Sequence, residues 1–169
     1  PFDLKIVELN SVDEVCFAIK EMQVRGAPLI GVTAAYGMYI ASKESSKLDF
    51  LKKVSNRFNE TRPTAVNLSW ALNKVMTKIV DLKEKEISEN ILQIANQIRK
   101  DDIENCKKIG EYGYDLIQKI YKKNNKPVNI LTHCNAGWLA TVDWGTALAP
   151  VFIANQNKIP IHVWIDETR

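Results

Sequence analysis

Apolar residues recur at helical spacing up to about residue 124, and after Asn124-Asn125-Lys126-Pro127 the pattern changes to short β-favouring runs. No other feature limits the fold as much. Ser11 to Glu14 reads as a capping box, with Val12, Val15, Cys16, Ile19 and Met22 behind it at helical spacing until Gly26 and Pro28 interrupt. Pro28 suits the first turn of a second helix, running through Leu29, Ile30, Val32, Ala35 and Tyr36 to about Ser42. That helix is apolar nearly all round, which predicts burial. Leu48, Leu51, Val54 and Phe58 mark an amphipathic third helix that must stop before Pro63, so Arg62 falls on a turn. A fourth helix is expected from about Ala65 to Val80, and the spacing persists from Glu84 to Lys122.

Val128 to Thr132 and Ile161 to Ile165 then read as strands flanking a stretch with helical spacing at Leu139, Val142, Leu148, Val151 and Phe152, in which Pro150 marks a kink or a restart. This is one βαβ unit. The expected fold is α/β: a mainly helical domain over residues 1–124, then the first βαβ unit of a Rossmann-like domain over 125–169. A parallel strand pair buries both faces only within a larger sheet, so the second domain is expected to continue past Arg169. Pro1 stands where a native start would have Met, so an upstream start is expected as well.

With 169 residues and 46% apolar content, a packed core is expected. The net charge is only +3 and lysines alternate with glutamates along the helices, which argues against a nucleic-acid surface. Three cysteines, far apart and without a Cys-x-x-Cys, give neither a disulfide framework nor a zinc knuckle and fit a reducing, cytoplasmic setting. No apolar run approaches the ~18 residues of a membrane span, and no signal-peptide pattern is present.

Two kinds of site residue stand out. Ile130-Leu-Thr-His-Cys-Asn-Ala-Gly137 places the Cys134 thiol where a strand ends and a helix is expected to begin, and the free N–H groups of a helix start favour a thiolate. A free cysteine is also commonly a buried small hydrophobe, but polar Thr132, His133 and Asn135 weaken that alternative here. Adjacent strand residues face opposite ways, so a pocket-facing Cys134 turns His133 toward the core. Arg25-Gly26-Ala27-Pro28, ahead of the second helix, either cradles an anion or makes a tight interhelical turn, and Arg62 invites the same two readings. Trp138, Asp143 and Trp144 either shape a pocket or serve packing and capping.

Taken together, Val24 to Gly31, Ala34-Ala35-Tyr36-Gly37, Arg62 to Leu68, Thr132 to Gly137, Gly145-Thr146-Ala147-Leu148 and Asp166-Glu167-Thr168-Arg169 resemble, in their order, the methylthioribose-1-phosphate isomerase family of methionine salvage. The resemblance covers essentially the whole chain. Relatives within it are ribose-1,5-bisphosphate isomerases, 5-deoxyribose-1-phosphate isomerases and the non-catalytic alpha, beta and delta type regulatory subunits of translation initiation factor 2B, which generally lack the cysteine. The resemblance implies a cytoplasmic aldose–ketose isomerase of a phosphorylated pentose, a homodimer, with no metal or organic cofactor and no nucleic-acid or membrane partner. It makes Cys134 the catalytic cysteine and Arg25, Gly26, Ala27 and Arg62 substrate-binding residues. It further implies an aspartate, a glutamine and an Asn-Lys pair downstream of the Asp-Glu-Thr-Arg motif, none of which is in this chain.

Overall fold

A computed structural model describes residues 5–166, so Glu167, Thr168 and Arg169 of the last motif lie outside the described residues. Among the described residues six helices and two strands follow in order: α1 Val12–Lys20, α2 Ala27–Glu44, α3 Leu48–Thr61, α4 Val66–Ile79, α5 Glu84–Asn124, β1 Val128–His133, α6 Ala149–Gln156 and β2 Ile161–Asp166. A 3₁₀ turn, Trp138–Ala140, stands between β1 and α6.

The helix starts and stops obey local chemistry. Glu14 N–H donates to Ser11 Oγ at 3.2 Å while Glu14 Oε2 accepts from Ser11 N–H at 3.1 Å, which completes the capping box of α1. Pro28 sits in the first turn of α2, where its missing N–H costs nothing. α3 ends at Thr61, with Arg62 as its C-cap just before Pro63. α5 runs unbroken for 41 residues, roughly 60 Å at 1.5 Å per residue. It closes on Asn125 in the left-handed region (φ 47°), whose N–H returns to the Tyr121 carbonyl.

α2 is the hub of the helical core, in contact with α1, α3, α4 and α5. Its own core side chains, among them Ile30, Ala34, Ala35, Met38 and Ala41, pack with Ile19, Phe58, Leu68, Leu72 and Ile91. Gly37 makes room for close approach here, since a Cβ on it would meet Val15 and Phe58 at 2.8 and 2.9 Å. A second, smaller cluster joins Ile117 of α5 to Val128, Ala154 and Ile159. α5 therefore packs on α2 through one stretch and on α6 through another, where Gly110 and Gly113 lie against Ala149, Ile153 and Pro150.

β1 and β2 pair in parallel, with Val128 opposite Ile161 and His133 opposite Asp166. The linking stretch departs from expectation. Only Ala149–Gln156 is α-helical, with Pro150 in its first turn, and residues 134–148 form a loop. Thr141 Oγ1 takes the Gly145 N–H and the Ala136 carbonyl takes the Thr146 N–H, bonds that compete with a helix despite the spacing of Leu139, Val142 and Leu148.

Candidate functional site

Cys134 lies at the carboxyl end of β1, the end at which open α/β folds bind ligands, and its residue is exposed. It is in the left-handed region (φ 67°), which is uncommon for a side-chain-bearing residue and turns the chain abruptly out of the strand. No helix begins there: the next helical turn is the 3₁₀ turn at Trp138, and α6 waits until Ala149. The expectation of a helix start beside the thiol is thus corrected, and with it the dipole argument built on that start. The reading of Cys134 as a buried hydrophobe fails as well.

A dense set of short hydrogen bonds shapes the loop. The Ala136 carbonyl accepts from the Thr146 N–H at 3.0 Å, Thr141 Oγ1 accepts from the Gly145 N–H at 3.0 Å, and the same hydroxyl donates to the Asp143 carbonyl at 2.9 Å. Gly145 is left-handed (φ 79°), and a Cβ there would collide with Gly137 at 2.6 Å, so glycine is required twice over. Trp144 is also left-handed (φ 70°). Trp138, Asp143 and Trp144 line a cavity of about 480 Å³ with Phe152 and Gln156.

Gly26 joins this loop to the helical half. As the N-cap of α2 it has ordinary extended angles (φ −93°, ψ 142°), so its backbone does not demand glycine. Space does: a Cβ on Gly26 would collide with the carbonyl group of Ala140. The Arg25-Gly26-Ala27 turn is therefore in backbone contact with the segment six residues beyond Cys134. Arg25 is exposed and Arg62 partly so, and neither makes an ion pair among the described residues. Arg62 sits where α3 hands over to α4, its carbonyl accepting from Ala65 N–H at 3.0 Å. The Asn67 carbonyl lies against Gly31, so the Arg62 turn is close in sequence to a contact with the opening turns of α2. No hydrogen bond or ion pair among the described residues ties it to the Cys134 loop.

His133 corrects a second expectation. Thr132 is the residue that turns inward, with a buried Oγ1 that has no hydrogen-bond partner among the described residues, and His133 is exposed on the outer face. There its Nδ1 lies 3.5 Å from an Asp166 carboxylate oxygen, across the parallel ladder. Asp102 of α5 is the residue that sequence reading passed over. Its Oδ2 accepts from the Val142 N–H at 2.9 Å, and burial raises its carboxyl above the usual range, against the lowering effect of that bond. A signal was present: Asp102 continues the line Ile98, Cys106, Gly110 at four-residue spacing, a polar residue on the buried face of the helix.

The sequence profile described as the initiation factor 2 subunit family matches residues 23–169. The chain belongs to that family. Over its full length it is 46% identical to the methylthioribose-1-phosphate isomerase of Methylorubrum populi, of which it covers 46%. The structure superposes on the 5-methylthioribose 1-phosphate isomerase of Pyrococcus horikoshii with a TM-score of 0.86 and 37% identity, over 100% of this chain and 48% of that one. It superposes equally completely on the delta subunit of translation initiation factor eIF-2B from A. fulgidus, with a TM-score of 0.82, 36% identity and 50% of that chain covered. The chain spans about half the length of the curated relatives it matches. Within the family, then, this fold accompanies both an isomerase name and an initiation-factor name, and the side chains must discriminate. Among the described residues no helix is long and apolar enough to cross a membrane.

Proposed function

We propose that this protein is an aldose–ketose isomerase that converts 5-methylthioribose 1-phosphate to 5-methylthioribulose 1-phosphate in methionine salvage. The observation that carries the reading is the exposed Cys134 thiol at the strand end, in a loop whose backbone touches the Arg25-Gly26-Ala27 turn. Identity of 46% to a relative bearing the isomerase name supports it. In the reaction the bond from C1 to the ring oxygen breaks, the hydrogen on C2 ends on C1, and C2 becomes the carbonyl. The sum is redox-neutral. Because phosphate occupies the anomeric oxygen, the ring cannot open by ordinary mutarotation, and a positioned acid must help it. Cys134 takes that role at the ring oxygen, while Arg25 and Arg62, with the N–H groups at the start of α2, hold the phosphate. The proton that leaves the C2 hydroxyl as the carbonyl forms falls to the aspartate that the resemblance implies downstream of the Asp-Glu-Thr-Arg motif.

The same reading divides the chain into a helical domain, 1–124, and the start of a Rossmann-like domain, 125–169. It places the protein in the cytoplasm as a homodimer. A non-catalytic regulatory role is the second reading, favoured by the likeness to the A. fulgidus subunit. The full-length polypeptide, incubated with methylthioribose 1-phosphate and followed by carbon NMR, is expected to yield the C2 ketose. Ribose 1,5-bisphosphate and 5-deoxyribose 1-phosphate are expected to turn over at least tenfold more slowly. Binding of all three without any ketose signal would establish the regulatory reading instead.

A further inference from the structure

We infer that Asp102 is a positioning residue: from α5 it holds the loop after Cys134 in place against the Arg25-Gly26-Ala27 turn. Neighbouring acids on α5 have cations beside them, Asp101 with Lys74 at 3.7 Å, Glu104 with Lys100 at 3.9 Å and Glu111 with Lys107 at 3.9 Å. Asp102 has none among the described residues. Its partners are the Val142 N–H at 2.9 Å and the Cys106 thiol at 3.9 Å, a sulfur that is itself buried. A half-buried carboxylate without a cation is costly, and burial accordingly raises its pKa. What the residue contributes in return is an acceptor, at a fixed point of a long helix, for a backbone donor of the site loop.

The place of that donor gives the contact its meaning. Val142 comes two residues after Ala140, whose carbonyl lies against Gly26. Next to it, Thr141 organises the loop through its bonds to Gly145 and Asp143. Asp102 thus grips the loop beside its junction with the Arg25 turn, and it does so from the helix that packs on both α2 and α6. Without the grip, the loop is held to the helical half by the Gly26 contact and by the Val142 side chain packed against the helical core. Misplacement by about 1 Å is enough to cost on the order of 100-fold in rate.

This inference rests on the isomerase reading for its kinetic consequence only, and the test separates the two. In the full-length protein, Asp102→Asn keeps an acceptor for Val142, Asp102→Glu displaces it by one methylene, and Asp102→Ala removes it. Hydrogen exchange, measured without substrate, should quicken at least tenfold in peptides covering 138–146 of the alanine variant while α2 and α4 stay unchanged. The asparagine variant should exchange like the wild type and lose less than about threefold in kcat, against a 10- to 100-fold loss for alanine. If alanine prevents folding, the glutamate variant supplies the displaced acceptor, with faster exchange confined to 138–146. Uniformly faster exchange in every helix, unchanged exchange in 138–146, or an asparagine variant as impaired as alanine would each overturn the assignment. Should the wild type show no isomerase activity, the function fails while the exchange pattern still decides the role of Asp102.

Discussion

The helical half and the βαβ half of this molecule are built to different standards. In the helical half an apolar hub, α2, is enclosed by four other helices, and Phe58, Leu68, Leu72 and Ile91 are wholly buried. In the βαβ half, the described residues form a two-stranded sheet covered on one face: Val128 and Ala154 are buried, while Leu131 on the opposite face is 71% exposed and Trp164 lies open beside it. The candidate cysteine belongs to the second half. On the isomerase reading, stability and chemistry are separated, with the self-bonded loop at Cys134 in contact with the helical half through Gly26 and Asp102.

Substitutions on the two sides should make the contrast measurable. Phe58→Ala empties a site at the centre of the helical core and is expected to cost about 3–5 kcal/mol in chemical denaturation. A loss below about 1 kcal/mol would erase the distinction between the halves. Gly26→Ala, at the junction, should lower kcat/KM on the order of 100-fold, because its Cβ cannot coexist with the Ala140 carbonyl and the loop must retreat. Helical stability should change far less than activity in that variant. Ser11→Ala removes the cap of α1 and should cost about 1 kcal/mol.

Cys106, beneath the site loop, gives a pH-dependent comparison. Burial first, and then the Asp102 carboxylate, push its thiol up to about 11. Between the ordinary value near 9.0 and about 11 the unfolded chain loses this proton while the folded protein keeps it, so folding stability falls as pH rises through that window. Cys106→Ala has no thiol proton to lose. Its stability deficit relative to wild type, read from thermal melts, should therefore narrow between pH 9 and 11, and a constant deficit would contradict the burial of the thiol. The smallest effect belongs to the open sheet face: Leu131→Thr in this chain should shift stability by no more than about 0.5 kcal/mol.

Much of this architecture could be read from local patterns. Ser11-x-x-Glu14, Pro28 and Pro63 set helix boundaries within a residue or two, because capping and proline geometry act over a single turn. The loop of residues 134–148 was illegible for the opposite reason: its apolar spacing imitates a helix, while the bonds of Thr141, Gly145 and Ala136 that forbid one depend on the folded arrangement. His133 was misplaced because alternation along a strand says only that neighbours face opposite ways. It is Thr132 that turns inward, which leaves His133 outward beside Asp166. Gly26 permits the close approach that its smallness suggests, but the group that approaches is the Ala140 carbonyl, a partner 114 residues away that no local pattern names. Asp102 meets its partner 40 residues away, a pairing that no local pattern encodes.

The central claim is that the thiol at the end of β1 performs chemistry on a phosphorylated sugar held by the helical half. It is tested most directly by comparing turnover and binding of methylthioribose 1-phosphate in the full-length protein and its Cys134→Ser variant. Loss of an acid that acts in the transition state should lower kcat by about 100- to 10,000-fold while the dissociation constant changes less than about threefold. A serine variant that turns over substrate at the wild-type rate would contradict the account.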